Sequence, residues 1–212
     1  EIHKASALLF ARALQQVLFS SSSNAQMLFP SVGQTKLYVQ KAEELFLKKN
    51  IVVKKNTSVA KLELSDSRIK KVFYKNGEEI DVKNIISCVP ANALNSIMRE
   101  TGIQSRKFDD LSHFTSSAII TVYLWFDTMV MEEIFLGVGG KTIQWIFNRD
   151  KIIHSDKSGN QCLAVVISGA NELITVQKEK LISLCCIELK EIFPLIKLSK
   201  LLHSLVIKEK RA

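Results

Sequence analysis

The chain has 212 residues, of which 47% are hydrophobic and 24% are charged, with only three prolines and eight glycines. These proportions are typical of a globular protein and exclude a fibrous or largely disordered chain. The net charge of +8 comes from scattered lysines without a stripe of interleaved aromatic residues, so we expect no nucleic-acid partner.

Cysteine and histidine positions give no metal-binding spacing, and Cys185 and Cys186 are adjacent within a helical pattern. Reduced thiols, no metal and a cytoplasmic location are therefore expected. The longest apolar run, residues 118–126, is far too short to span a bilayer. Glu1 stands in the middle of a helix-like pattern and the last residues lack a cap, which suggests a piece of a longer protein.

In chain order, apolar spacing first predicts a helix over residues 6–19 with a broad buried face, and residues 20–24 break it. A second helix is predicted from about Thr35, its cap, to Lys49. Asn50 would end this helix, because asparagine tolerates the left-handed conformation.

From residue 51 onward, the apolar residues alternate with polar ones, which is the period of a strand. Residues 51–56 read as a short strand, and residues 58–82 as a meander whose hairpin signal is Asn76-Gly77. Residues 85–89 are almost continuously apolar, which predicts a strand buried on both faces in a parallel sheet. Pro90 should end that strand and begin a helix.

A polar linking segment, residues 101–114, precedes the second half of the chain. Three strand-like runs follow at residues 117–126, 142–149 and 163–170; then come a helix over residues 176–193 and a strand over residues 203–211. This order of elements predicts an α/β chain that mixes parallel and antiparallel sheet with helices.

Gly137, Gly139 and Gly140 resemble a phosphate-binding loop only superficially. A dinucleotide loop needs a third spaced glycine and a helix directly after it, whereas residues 141–149 are β-branched and aromatic. We therefore predict a flexible turn between two strands.

Alternation along the neighbouring strands places aromatic side chains on shared faces. Thr121, Tyr123 and Trp125 should oppose the aliphatic residues of their strand. In the later strand, Ile143, Trp145 and Phe147 should oppose Thr142, Gln144, Ile146 and Asn148. Such faces line either a long apolar cavity or an ordinary aromatic core.

The segments SSAIITVYLWFDTMVMEEIFLGVGGKTIQWIFNRD, LAVVISGANEL and VIKEKRA resemble hydroxysqualene dehydroxylase, a family formerly described as squalene-associated FAD-dependent desaturases. This family lies in the amine oxidase and phytoene desaturase superfamily, which NTSVAKLELSDSRIKKVFYKNGEEIDVKNIISCVP also resembles. The superfamily's GxGxxG and its C-terminal Gly-Asp segment are absent, and Asn50 stands where the family usually has glycine. The resemblance implies a central piece of such an enzyme.

The resemblance implies the organisation of the chain as well. Residues 1–46 would be a helical part of the substrate domain, and residues 47–100 an excursion into a Rossmann-like FAD-binding domain, formed by a strand, a meander and a strand. Residues 101–212 would complete a mixed-sheet substrate domain.

The resemblance also implies roles for individual residues. Val59 would offer backbone groups to the adenine of FAD, and Val89 and Pro90 would lie at the cofactor end of a strand. The candidates for the substrate wall are Tyr123, Trp125, Gln144, Trp145 and Phe147.

The family reaction removes the hydroxyl of hydroxysqualene reductively, using reduced FAD, and supplies squalene for hopanoid or related triterpene synthesis. A polyisoprenoid substrate resides in membrane, so peripheral contact with the inner face of the plasma membrane is an alternative to a purely cytoplasmic location. The competing functions are an oxidative carotenoid desaturase or amine oxidase, and a non-catalytic lipid-binding remnant. No catalytic residue is predicted, because Asp127, Glu132, Glu133, Asp150 and His154 read as solvated surface.

Overall fold

The computed structural model describes residues 6–19, 21, 23, 26–66, 68–102, 108, 110–154 and 159–211. The chain divides into two compact units. Ala42–Ser116 form one, called here the inserted unit, and Glu1–Lys41 with Ser117–Ala212 form the other, called the five-stranded unit. The predicted break at residues 20–24 and the predicted linking segment at residues 101–114 lie partly outside the described residues.

The inserted unit is built on an antiparallel sheet of order β1-β2-β3. Its strands are β1 (Val59–Ser65), β2 (Arg68–Tyr74) and β3 (Glu79–Asp81). Helix α3 (Ala91–Thr101) packs its buried Met98 against Leu62 and Val72 of the sheet. This small apolar cluster is the core of the unit.

The predicted hairpin turn is confirmed. Gly77 adopts φ +88°, and the Tyr74 N–H donates to the Glu78 carbonyl at 2.9 Å. The Asn76 side chain accepts a hydrogen bond from the Glu78 N–H at 3.1 Å. The asparagine thus closes the turn locally, while the glycine supplies the left-handed conformation that other residues rarely adopt.

The two strands predicted on either side of the meander do not form. Residues 51–54 and 85–89 have no strand pairing among the described residues, and Ile86 is 90% exposed. A strand needs a neighbour for its backbone groups, and no described strand lies beside either segment. Pro90 nevertheless directly precedes α3 as its N-cap, and Gly102 ends that helix with φ +73°.

The predicted second helix is present as a π-helical turn, Thr35–Val39, that continues into α2 (Gln40–Lys48). Thr35 is not its cap, because Gln34 holds that position without a side-chain hydrogen bond. Asn50 adopts φ +54°, and the Ile51 N–H donates to the Phe46 carbonyl at 2.8 Å. The left-handed asparagine end of the helix is therefore confirmed.

The five-stranded unit contains one antiparallel sheet of order β5-β6-β7-β4-β8. Its strands are β4 (Ile119–Phe126), β5 (Phe135–Gly137), β6 (Trp145–Asn148), β7 (Gln161–Ser168) and β8 (Leu201–Glu209). Its helices are α1 (Ala7–Leu18), α4 (Arg149–Ile153) and α5 (Lys178–Ile192). The sequence did not predict β5 or α4, which are the shortest strand and the shortest helix of this unit.

One face of this sheet carries the core. On β4 the predicted alternation holds throughout, with Ile120, Val122 and Leu124 fully buried. They share a cluster with Leu181, Cys185 and Leu189, the buried residues of α5. Burial of such side chains, at about 1.5–3 kcal/mol each, stabilises the sheet against the helix.

Helix α1 begins at a Ser6 cap whose Oγ accepts from the Leu9 N–H at 3.4 Å. Its predicted buried face is wrong for this chain, because every described residue of α1 is exposed. Amphipathic spacing predicts the helix, but it does not supply the surface that would cover it.

Candidate functional site

The second face of the five-stranded sheet is apolar, aromatic and partly open. Partners in an antiparallel pair lie on the same face, and side chains alternate along each strand. The register therefore places one set of side chains opposite the core: Phe135, Trp145, Phe147, Cys162, Ala164, Val166, Thr121, Tyr123, Trp125, His203, Leu205 and Ile207. We call this set the aromatic face. With about 4.8 Å between neighbouring strands, it extends about 19 Å from β5 to β8.

Aromatic rings dominate the β5–β6 side of this face. The Phe135 ring centroid lies 6.2 Å from that of Trp145 and 6.3 Å from that of Phe147. Phe29 covers part of this cluster, with its centroid 5.3 Å from Phe135. A Cβ on Gly137 would lie 3.2 Å from the Trp145 ring, so glycine there leaves room for the indole to lie across the strand.

The β4–β8 side of the face holds a cavity of about 280 Å³. Trp125 lies between Tyr123 and His203, with ring-centroid distances of 6.1 and 5.0 Å. The cavity is lined by Tyr123, Trp125, Arg149, Asp150, Ile153, Cys162, Leu205 and Ile207. It is thus an apolar hollow with one polar edge, which is contributed by α4.

Helix α4 brings this polar edge to the sheet. The buried Asn148 caps the helix, and its Oδ1 accepts from the Lys151 N–H at 3.2 Å. The Arg149 guanidinium lies 6.0 Å from the centre of the Tyr123 ring. The Asp150 carboxylate accepts a hydrogen bond from the Cys162 N–H at 2.5 Å, which fixes the start of α4 against β7.

Cys162 lies on the floor of the cavity. Burial, and then the negative charge of Asp150, raise the pKa of its thiol to about 12. The thiol is therefore protonated at neutral pH, which disfavours a nucleophilic role because the thiolate is the reactive form.

Four of the five predicted substrate-wall residues lie together on the aromatic face: Tyr123, Trp125, Trp145 and Phe147. Strands β4 and β6 do not pair directly, because β7 lies between them. Gln144 precedes β6, and its amide both donates to the Ser168 carbonyl and accepts from the Ser168 N–H, at 3.2 and 3.1 Å. Gln144 thus extends the sheet.

The facing predicted for Ile143 is wrong. This residue is fully buried in the same core cluster as Ile146, because β6 begins only at Trp145 and the chain before it does not continue the alternation. The exposed position of Trp145, at 41%, agrees with a wall rather than a core.

The glycine-rich segment is a connection between β5 and β6, as predicted. The Val138 N–H donates to the Gln144 carbonyl at 2.8 Å, and a strand rather than a helix follows. Glu188 of α5 holds this connection by accepting from the Thr142 and Ile143 N–H groups, each at 2.9 Å. Burial opposes ionisation of Glu188, but these hydrogen bonds outweigh it and lower its pKa.

The inserted unit has its own apolar cavity, of about 320 Å³. Val59, the first residue of the edge strand β1, and Val89 both line it. Pro90 follows Val89 as the N-cap of α3. The remaining lining is aliphatic apart from Ser87, Cys88 and Phe108, so it suits a flat ring such as adenine better than a diphosphate. The cofactor roles of these residues remain predictions.

Sequence reasoning missed Arg149, Cys162, Leu205 and Ile207. The only signal for Arg149 was its position directly after a strand, in the run Asn148-Arg149-Asp150. The two β8 residues could be assigned to this face only once the pairing of β8 with β4 was known.

The part of the chain that the structure describes contains neither a candidate metal site nor a candidate membrane-spanning helix. No group of three His, Cys, Asp or Glu side chains there is placed to hold a metal ion. None of the helices in the same ranges has the length and apolar character needed to cross a membrane.

A family model for flavin-containing amine oxidoreductases matches residues 11–208. No curated protein matches the chain. Reduced UDP-galactopyranose mutase has TM-score 0.68 and 16% identity, with 87% of this chain and 41% of that protein covered. Wild-type putrescine oxidase bound to putrescine has TM-score 0.59 and 12% identity, with 82% and 38% covered.

An oxidoreductase from Methanosarcina mazei has TM-score 0.63 and 16% identity, with 81% of this chain and 42% of that protein covered. The chain therefore spans less than half the length of each of these structures. Their similarity confirms the predicted α/β mixture of helix and sheet. The predicted parallel pairing is not found, because every strand pair that the structure describes is antiparallel.

Proposed function

The chain belongs to the flavin-containing amine oxidoreductase family, and we propose that it is the middle part of an FAD-dependent oxidoreductase acting on a polyisoprenoid. The family match supports FAD as the cofactor. The reaction we propose is reductive dehydroxylation of hydroxysqualene to squalene. The observation that carries the proposal is the aromatic face, a partly exposed apolar wall about 19 Å wide on a fold of this family.

A long hydrocarbon gains binding energy mainly from apolar area, at about 25 cal/mol per Å² removed from water. The aromatic face offers such area on β4, β5, β6 and β8, whereas Cys162 and Ala164 of β7 are buried between these strands. Flat rings such as Trp125 and Trp145 also supply it at a low cost in conformational entropy, because each has only two side-chain torsions.

For the cofactor, we propose that the cavity of the inserted unit, which Val59 and Val89 line, receives the adenine of FAD. Pro90, which directly follows Val89, would hold the adjoining backbone. Reduced FAD would supply the hydride, and this chain would contribute only the binding of the adenine end. Because the unit offers only that end, we expect the isolated chain not to retain FAD through gel filtration. A yellow eluate with a bound-flavin absorption spectrum would contradict this expectation.

The proposed reaction is tested by product analysis. The complete gene product is incubated anaerobically with hydroxysqualene and chemically reduced FAD, and the extract is analysed by gas chromatography–mass spectrometry. We expect squalene in amounts that depend on both enzyme and reduced flavin. Desaturated polyene from squalene or phytoene under oxidising conditions, with no dehydroxylation, would instead assign the oxidative alternative.

An amine substrate is the weaker alternative for a specific reason. The polar edge of the β4–β8 cavity contains the cationic Arg149, and Asp150, the carboxylate among its described lining residues, accepts a hydrogen bond from the Cys162 N–H. A cationic amine would be repelled by the first of these groups. If neither dehydroxylation nor desaturation is observed, the alternative is that the chain is a non-catalytic lipid-binding remnant.

We also propose peripheral contact with an anionic membrane. The exposed face of α1, which includes Leu9, Phe10 and Leu18, resembles an interfacial helix, and the net charge of +8 favours anionic lipid. Vesicles containing phosphatidylserine should carry the protein upward in a flotation gradient at low salt. Absence of salt-sensitive flotation would remove the proposal.

A further inference from the structure

The strongest unassigned feature of the molecule is a cation at the edge of an otherwise apolar cavity. Arg149 lines the β4–β8 cavity together with Tyr123, Trp125, Leu205 and Ile207. Among the residues that the structure describes, no carboxylate lies within ion-pair distance of its guanidinium. Its guanidinium lies 6.0 Å from the centre of the Tyr123 ring, and its charge also acts on the nearby Cys162 thiol.

An unpaired guanidinium at an apolar surface has unused hydrogen-bonding capacity. Arginine carries five N–H donors in a planar fork and remains charged at any physiological pH. A cation–π contact with the Tyr123 ring uses the charge of the guanidinium or its flat face. It does not occupy the N–H donors, which point outward in the plane of the group. Because no described residue occupies these donors, they can reach an oxygen atom on a molecule bound in the cavity.

The size of the cavity limits what can bind there. Its volume of about 280 Å³ lies at the lower limit for small-molecule sites, which is about 300 Å³. The cavity can hold the segment of a long chain that carries oxygen, beside Arg149, and the rest of the chain can lie on the aromatic face toward β5.

We propose that Arg149 is a specificity-determining residue that recognises the hydroxyl oxygen of a polyisoprenoid alcohol and thereby favours it over the corresponding hydrocarbon. This inference rests on the proposed function for the class of ligand. It adds a reason for release of the product, because loss of the oxygen removes the partner of the guanidinium while the apolar contacts stay the same.

The test compares binding of farnesol with binding of farnesene, a hydrocarbon of the same carbon skeleton. The chain has two tryptophans, so a Trp145→Phe background leaves Trp125, in the wall of the cavity, as the fluorescent reporter. We expect farnesol to bind about tenfold more tightly than farnesene, which is the size of one hydrogen bond to a charged group. In Arg149→Met, which retains the apolar stem, this preference should disappear.

Arg68→Met is the matched control, because it makes the same chemical change at an exposed position of the inserted unit. It should leave the preference unchanged. Arg149→Lys keeps the charge but not the planar fork, and it should retain part of the preference, which keeps the test informative if Arg149→Met does not fold.

Equal affinities for farnesol and farnesene in the parent chain would overturn the inference, as would an unchanged preference in Arg149→Met. Tight binding of farnesyl phosphate without any preference for farnesol would also overturn it and would identify an anion site. The two proposals fail separately. An alcohol preference that depends on Arg149, without squalene in the product assay, would overturn the reaction alone. Squalene formation with a preference that does not depend on Arg149 would overturn this inference alone.

Discussion

Two buried amides determine how the loop before β5 is held. Gln161 is 2% exposed, and its Oε1 accepts from the Val130 and Met131 N–H groups at 2.8 and 2.9 Å. Its Nε2 donates to the Met131 carbonyl at 2.7 Å, and the Asn148 amide donates to the same carbonyl at 2.9 Å. Gln161, a polar residue at the start of β7, therefore supplies the hydrogen-bond partners that the buried backbone of this loop needs.

Replacing Gln161 by leucine should destabilise the protein strongly. The Val130 and Met131 N–H groups would lose their acceptor while buried, and each unsatisfied donor costs about 1–3 kcal/mol. We expect the free energy of unfolding to fall by about 2–4 kcal/mol in urea denaturation. Gln177→Leu, at an exposed cap position without a side-chain hydrogen bond, should change it little; equal effects would contradict this account.

At the scale of elements, the carboxylate of Glu188 on α5 holds the β5–β6 connection through hydrogen bonds. Both carboxylate oxygens of Glu188 accept from backbone N–H groups of the connection, and Lys141 pairs with Glu191 at 2.5 Å. The loop is therefore tied to the same helix that covers the core face of the sheet. This arrangement positions Trp145, the first residue after the loop, on the aromatic face.

This tie should make stability depend on pH. Because the folded-state pKa of Glu188 is lowered, its contribution is fully present above its ordinary value of 4.5 and is lost as the pH falls through the folded-state value. We expect the stability difference between the parent chain and Glu188→Gln to be largest near neutral pH and to shrink in acid. Glu172→Gln, at an exposed turn, should show no such trend; a constant difference for Glu188→Gln would rule the tie out.

How far the sequence predicts these elements depends on where each one finds its partners. The alternation of β4, the Asn50 helix end and the Asn76-Gly77 turn are set by neighbouring residues, and all three are confirmed. Residues 85–89 have the composition of a buried strand, yet Ile86 is 90% exposed, because strand formation requires a pairing partner and the described residues provide none. The two short elements β5 and α4 have too few residues for a period to be read.

The same reasoning applies to the candidate site. Alternation along single strands correctly grouped Tyr123 with Trp125, and Trp145 with Phe147. Only the strand order showed that β7 lies between the two pairs and that β8 adds Leu205 and Ile207. Arg149 could not be assigned from sequence, because its role depends on which side of the sheet α4 turns toward.

At the scale of the whole molecule, the two faces of the five-stranded sheet have different surroundings. One face is closed by α5 and stabilises the fold, whereas the other presents rings and aliphatic side chains that remain partly exposed. Large exposed apolar patches on a folded protein mark surfaces that bind something. The family supplies flavin chemistry, and the aromatic face is the part of this chain that we assign to the polyisoprenoid.

Photolabelling tests this assignment most directly. The protein is irradiated with a diazirine-bearing polyisoprenoid alcohol, with and without excess squalene, and labelled peptides are identified by mass spectrometry. We predict competable labelling on β4 around Tyr123 and Trp125, and on β6 around Trp145 and Phe147. Labelling confined to α1 and unaffected by squalene would contradict the claim that the aromatic face is the binding wall.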